Sequence, residues 1–312
     1  MGFMLAGGLA QAAEPVTVPL DPVKVGEHSY YFPGESGMAS RENKGFMSNA
    51  GFVVTGDGVV VFDALGTPAL ARGMIQAIGR ITSEPIKLVI VSHYHADHFY
   101  GLQAFKEVGA TVWAHEKGKI YLHSDFAHER LAQRQRDLQP WVNEDTRMVE
   151  ADRWLDFAEG REMPIDMGEV KMRLIDVSGA HAADDIMLFV ETDRVLFAGD
   201  LFFTGRIPFV EDADSRAWLK AMDSMLDVNP VMVVPGHGPA SDNPERDMQL
   251  TREYLLFLRE QLGEAVANFM SFEEAYEQID WSRFEDYPAF EPANRINAYG
   301  QFLQMERESL GQ

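Results

Sequence analysis

The alternation of apolar and polar positions divides the 312-residue chain into stretches of different character. From about residue 46 the chain turns strand-like, and "GFVVTGDGVVVFDA" holds two β-branched runs around Thr55-Gly56-Asp57-Gly58, a hairpin signal. Apolar residues then recur at helical spacing over 68–81. "IKLVIVS" (86–92) reads as a short buried strand, "YGLQAFKEVG" as a helix closed by Gly109, and "TVWAH" as the next strand. Strands and helices in alternation imply one sheet with helices packed on it.

Residues 116–148 break this rhythm. They are long, polar and helical in period, an insertion of the kind that forms a lid or wall over a site. Strand-like runs resume at "EVKMRLIDVS", "DIMLFVETDRVLFAGD" and "VMVVPGHG", with a hairpin turn expected at Asp193-Arg194. After Pro239 the pattern is helical to the end. The expected organisation is therefore a sheet-and-helix domain over 13–240 and a helical extension over 241–312.

Acidic residues exceed basic ones by 22, so the average surface repels phosphate backbones and a nucleic-acid partner is not expected. No stretch is long and apolar enough to insert in a bilayer. The chain has no cysteine, so any metal must be held by His, Asp or Glu. The first residues, "MGFMLAGGLAQAAEP", are small and apolar, and Ala10-Gln11-Ala12 has the A-x-A form of a signal-peptidase site. Residues 1–12 are read as a signal-peptide remnant, and the mature protein as periplasmic.

The segment "VSHYHADHFYGLQAF" carries His93, His95, Asp97 and His98 directly after a strand, in the turn leading to a helix from about Tyr100. Open α/β sheets build their sites at such strand ends. Alternate positions 93, 95 and 97 project one way while 98 turns with the chain. Nitrogen and oxygen donors at this density suit zinc and can feed two ions about 3.5 Å apart. Three later features occupy the same kind of place: His181 in "VSGAHAADD", Asp200 closing "RVLFAGD", and His237 in "VVPGHG". Gly179, Gly199, Gly236 and Gly238 beside them let the backbone bend and approach closely.

H-x-H-x-D-H, a downstream Gly-x-His, Ala-Gly-Asp after an apolar strand and Pro-Gly-His-Gly together resemble the metallo-β-lactamase-fold hydrolase superfamily, over about residues 45–240. The resemblance implies an α/β fold, a four-layer αβ/βα sandwich of two mixed β-sheets with the site at one edge. It implies one metal on His93, His95 and His181, a second on Asp97, His98 and His237, and Asp200 bridging them. Two zinc ions are expected, with iron or manganese also compatible with His/Asp donors. The segments "SHYHADHFYGLQAF" and "LFAGDLFFTGRIPFVEDADSRAWLKAMDSML" and the helical tail further resemble the SoxH-like and quinoprotein-relay zinc metallohydrolases, which are exported bacterial proteins. One departure stands out. Where the family's third motif often reads His-Thr-x-Gly-His or His-Thr-x-Gly-Asp, this chain has His181-Ala182-Ala183-Asp184-Asp185, which makes Asp185 the acid expected to support a ligand.

The chemistry follows from the metals. Water bridging two zinc ions is acidified towards a pKa of about 7 and attacks a carbonyl (ester, thioester or lactam) or related centre of a small-molecule substrate. Asp97 and Asp200 are the expected catalytic carboxylates, ligating metal and orienting the nucleophile. An aspartate at 200 favours the glyoxalase II-like, lactonase and phosphodiesterase branches, since dedicated β-lactamases commonly carry Cys or Ser there. Two alternatives remain open: a mononuclear-iron oxidoreductase like the persulfide dioxygenases, and a non-catalytic relay or binding protein with a structural metal.

Other residues admit a sharper and a plainer reading. Asp63, ending "VVVFD", is expected to support a ligand rather than bind metal. His115 either supports the site or caps a strand end. Arg206 either binds an anionic substrate group or pairs with one of the many acids. His123 and His128 are read as solvated, and Trp113, Trp141, Phe202, Phe203 and Phe209 as core.

Overall fold

The computed structural model describes residues 16–157 and 160–311. The expected signal-peptide remnant, residues 1–12, lies outside them. Twelve strands form two sheets, each in simple chain order. The first opens with β1 (Val23–Lys24), β2 (Ser29–Phe32), β3 (Ala50–Val54) and β4 (Val59–Phe62), all antiparallel. The expected hairpin joins the last two, with Val54 opposite Val59.

Helix α1 (Pro68–Ile81) follows because Thr67 caps it, accepting the Leu70 N–H at 3.2 Å, and Pro68 presets its first turn. Its apolar face packs on the sheet. β5 (Ile86–Ile90) then returns parallel to β4. Two short helices, α2 (Ala96–Phe99) and α3 (Leu102–Glu107), lead to β6 (Thr111–His115). The helix expected from about Tyr100 is α3, and a separate one-turn helix, α2, precedes it inside the histidine motif. The insertion holds α4 (Gly118–Leu122) and α5 (Asp125–Asp137), after which β7 (Arg153–Leu155) closes the sheet.

The second sheet runs β8 (Glu162–Met167), β9 (Val170–Asp176), β10 (Ile186–Val190) and β11 (Val195–Phe203), antiparallel throughout, with the expected turn at Arg194 in left-handed conformation (φ 55°). After α6 (Ser215–Asp227), β12 (Met232–His237) pairs parallel to β11. Beyond it the chain is helical: α7 (Pro244–Asp247), α8 (Gln249–Ala267), α9 (Phe272–Gln278) and α10 (Phe290–Ser309).

Side-chain alternation explains why the central strands read as continuous apolar runs. Val60 and Phe62 of β4, Leu88 and Ile90 of β5, and Val195 and Phe197 of β11 meet in one core between the sheets. Val59, Val61 and Val89 point outward beneath α1 and α3, while Leu196 and Ala198 point outward beneath α6 and α8. β4, β10 and β11 are buried along their whole length, so no polar face interrupts their pattern. The result is a four-layer α/β sandwich of two mixed sheets with a helical C-terminal region. Among the described residues no helix is long and apolar enough to cross a membrane.

Candidate metal centre

The ends of β5, β11 and β12 and the loop after β9 meet at one edge of the sandwich. His95 is the last extended residue before α2 (φ −97°, ψ 148°), so Asp97 and His98 fall on the first helical turn and face back towards β5. Asp200 is turned out of β11 where the β11–β12 register shifts at Gly199, whose φ of 55° favours glycine. Gly236 is required by space: a Cβ there would lie 1.9 Å from the Asp200 Oδ1 atom.

Seven side chains converge. The His93 Nε2 and His181 Nε2 atoms lie 3.0 and 3.1 Å from His95 Nδ1. Asp97 Oδ2 stands 3.5 Å from His98 Nε2 and 3.3 Å from His237 Nε2. Asp200 spans the two groups, with Oδ1 3.1 Å from His98 Nε2, and Oδ2 3.3 Å from His237 Nε2 and 3.6 Å from His181 Nε2. Three donor triplets, His93–His95–His181, His93–His98–Asp200 and Asp97–His98–His237, each have their atoms within 4.8 Å of one another.

The outward nitrogens fix which atoms face in. His181 Nδ1 meets the Phe209 carbonyl at 3.1 Å, and His237 Nδ1 the Met47 carbonyl at 2.7 Å. His98 Nδ1 meets Asp63 Oδ2 at 2.8 Å. His93 Nδ1 meets Ser92 Oγ at 3.0 Å, and that hydroxyl donates to Asp63. Each of these four rings therefore donates outward and presents Nε2 inward, the arrangement that orients a metal-binding imidazole, while His95 presents Nδ1. Despite the short N···O separations, His98 Nε2, His237 Nε2 and Asp200 Oδ1 are buried without an aligned hydrogen bond. Buried polar atoms left so are costly unless a cation gathers them. Nitrogen and oxygen donors without thiolate fit zinc.

Electrostatics divides the cluster. Burial, reinforced by neighbouring histidines, holds His93 well below the ordinary imidazole range, and burial lowers His95 and pushes His181 down to about 3. Burial acts the same way on His98 and His237, but there the carboxylates, Asp200 foremost, outweigh it and raise both. Asp97 and Asp200 resist burial in turn because His98 and His237 hold them ionised. Burial thus favours the neutral form of His93, His95 and His181, whereas the carboxylates favour the protonated form of His98 and His237. Zinc entering beside His98 must displace protons, so its affinity there falls as pH falls. We expect metal bound beside His98 and His237 to be lost first as the pH falls. Calorimetric titration in buffers of different ionisation enthalpy should show proton release confined to the weaker site; equal release at both would contradict this division.

The remaining expectations resolve individually. Asp63 supports both His98 and, through Ser92, His93. Asp185 does not orient a ligand ring: its carboxylate accepts the Ala182 N–H at 2.7 Å, and the Phe209 carbonyl aligns His181 instead. Asp184 performs an equivalent backbone task, accepting the Tyr94 N–H at 3.0 Å between the two motif histidines. Asp184, which stands where the family usually has Gly, and Asp185, which matches the motif's final acid, therefore both brace backbone. His115 takes the plainer role, accepting the Lys117 N–H at 3.0 Å and stacking on Phe157, away from the cluster. Arg206 takes neither expected role. It is fully buried, donates to the Gly37 carbonyl at 2.9 Å and lies over Phe209, with no carboxylate within ion-pair distance among the described residues. His123 and His128 are exposed.

Sequence reasoning missed the segment Met47-Ser48-Asn49. Beyond the Met47 carbonyl, Ser48 Oγ donates to the Asp97 carbonyl at 2.6 Å, and Asn49 Nδ2 donates to the carbonyls of Pro235 and Gly238 at 2.8 and 2.7 Å. Two polar residues inside the apolar run "FMSNAGFVV" were the available signal. A cavity of about 200 Å³ opens over the cluster, with His95, Asp97, His181 and Asp200 in its lining. Tyr121, Phe126, Arg130 and Arg134 of the insertion wall one side, and Ile296 of α10 contributes to another. Phe209, expected in the core, also lines it.

A two-sheet sandwich with a histidine–aspartate cluster at its edge defines a metal-binding α/β protein. The family model described as "Metallo-beta-lactamase superfamily" matches residues 43–237, and the chain belongs to that superfamily. A Caenorhabditis elegans protein named beta-lactamase-like protein 2 homolog is 24% identical over 209 residues, covering 64% of this chain and 61% of its own. The sec-alkylsulfatase Pisa1 from Pseudomonas sp. superposes with a TM-score of 0.72 at 15% identity, covering 94% of this chain and 50% of that one. The metallo-beta-lactamase FIM-1 from Pseudomonas aeruginosa, solved in a mono-zinc form, gives 0.57 at 19% identity, covering 78% of this chain and all of its own. The chain thus spans less than two thirds of the first two proteins.

Proposed function

We propose that this chain is a dinuclear zinc-dependent hydrolase of a small-molecule ester, thioester, lactam or related substrate. The observation that carries the reading is the convergence of seven histidine and aspartate side chains with their free atoms inward, directly beneath a cavity. Zinc bound there supplies Lewis acidity and a water acidified towards a pKa of about 7.

The chain's own residues do the rest. Asp97 and Asp200 line the cavity and hold carboxylate oxygens beside the reacting centre, Asp97 being the more open of the two, with 16% of its side chain exposed. Asp97 is thus placed to take the proton that the nucleophile sheds. Tyr121 keeps its hydroxyl proton at any working pH, since burial pushes its pKa up to about 12. Its place in the lining suits donation to an oxygen of the substrate on which charge develops. Asp63 holds two of the metal-facing rings in place without touching substrate. The family's SoxH-like branch remains our assignment within the superfamily, on the motif and tail likeness described above.

Sulfate-ester hydrolysis is a second reading, because the alkylsulfatase likeness takes in the C-terminal helices that line the cavity. The deciding experiment is metal analysis of the purified protein with a screen of esters, thioesters, lactams and alkyl sulfates. We expect two zinc ions per chain, and hydrolysis abolished by chelation and restored by zinc. One iron per chain with oxygen consumed on a persulfide would replace the hydrolase with an oxidoreductase.

A further inference from the structure

We propose that Arg130 and Arg134 form a clamp for an oxyacid anion, carboxylate or sulfate, carried by a substrate whose apolar part lies along Met38, Phe126 and Ile296. This deepens the hydrolase reading and rests on it.

The two arginines stand four residues apart on α5, so they share one face of the helix, and both line the cavity above the metal cluster. Like charges at this spacing repel. A neutralising partner is expected in a chain with 49 acidic and 27 basic residues. Among the described residues, Arg216, Arg252, Arg259, Arg283 and Arg295 all meet a carboxylate. Arg130 and Arg134 do not, and among the several described arginines without a carboxylate these two line the cavity. The Arg130 side chain reaches Gln133 Oε1 at 3.2 Å and lies 5.2 Å from the Phe126 ring centre, and the Arg134 side chain forms no ion pair or hydrogen bond among the described residues.

Besides the cluster's own Asp97 and Asp200, the acids that line the cavity are Glu211 and Asp212. Neither approaches an arginine within 4 Å among the described residues, and burial together with Asp212 raises the Glu211 pKa despite the pull of Arg130. The paired guanidinium groups draw an anionic group into the cavity that the metal cluster also lines, so the reacting bond of the same substrate is held near that cluster. Guanidinium forks match planar or tetrahedral oxyanions through two parallel hydrogen bonds. Phe126, 47% exposed beside Arg130, offers an apolar surface that a hydrocarbon segment covers.

The test compares ligands of one chain length on the zinc-loaded protein. Hexanoate and hexyl sulfate supply the two anions, and hexanol the neutral control, with binding followed by calorimetry. We expect at least one anion to bind about tenfold or more tighter than hexanol, and the double variant Arg130→Gln/Arg134→Gln to abolish that preference with zinc content unchanged. The anion whose preference is lost identifies the group. Preference retained by the double variant would assign anion binding to the metal centre and overturn the clamp, as would the absence of any preference in the wild type. The reaction itself is followed with p-nitrophenyl hexanoate and mono-p-nitrophenyl adipate. A selective rise of about tenfold in KM for the charged ester in the variant supports the clamp. If the wild type cleaves neither these nor any substrate of the screen, the hydrolase reading fails, and the binding comparison alone still decides the clamp.

Discussion

Asp200→Asn is expected to reduce zinc from two ions per chain to about one and to lower hydrolysis by about 10³-fold, equivalent to about 4 kcal/mol of transition-state stabilisation. Asp200 is the one side chain that reaches both halves of the cluster, through Oδ1 beside His98 and Oδ2 beside His237 and His181. Asparagine preserves its shape and one carbonyl oxygen but replaces the other oxygen with an NH2 group, which cannot ligate. It also removes the negative charge that contributes most to holding protons on His98 and His237 against burial. The His93–His95–His181 triplet keeps its donors, so one ion should survive, at the site whose rings burial favours in the neutral form. Metal analysis beside kcat/KM on the best substrate of the screen checks both parts. Two tightly held zinc ions in a variant of unchanged activity would remove Asp200 from the bridging position.

The contrast between what the chain reveals and what it hides follows from how far each signal extends along the sequence. Four of the seven converging residues lie within the six positions 93–98, and the other three each follow an apolar run and adjoin glycine, so local reading finds them. The central strands announce themselves because both faces are buried. The edges do not. β8 carries Pro164 and alternates exposed with partly buried residues, and β1 and β7 are two and three residues long. The residues that hold the ligands in place are harder still to read. Met47 and Phe209 act through backbone carbonyls, which carry no residue-type signature. Asp185 shows the limit from the other direction: an acid four residues from a ligand invites the role of partner, but its carboxylate is taken by the loop's own N–H group. Arg130 and Arg134 sit in a polar helix where nothing local sets them apart from solvated charges.

Asn49→Ala is expected to destabilise the protein by about 2–4 kcal/mol, because it strips partners from three backbone groups at once, two of them buried. The Asn49 amide donates to the carbonyls of Pro235 and Gly238 at 2.8 and 2.7 Å and accepts the Gly34 N–H at 2.8 Å. These bonds link β12, which carries His237, to the strand pair on the opposite sheet. No neighbouring side chain replaces a lost amide, and each unsatisfied buried group costs about 1–3 kcal/mol, with relaxation and entering water recovering part. For a chain of this length the loss corresponds to a fall in Tm on the order of 10 °C. The metal centre should feel it as well, since His237 leans on the same segment through the Met47 carbonyl. Loosening a support of this kind typically weakens metal binding by about 10–100-fold. Asn49→Asp separates the donor from the acceptor role. It keeps the bond from Gly34 but turns a carboxylate towards two carbonyl oxygens, so it should destabilise more than alanine does. Denaturant unfolding of the zinc-stripped proteins isolates the fold contribution, and zinc titration of the folded variants isolates the metal contribution. A stripped Asn49→Ala protein within about 0.5 kcal/mol of wild type would show that this strap does not hold the two sheets together at the site.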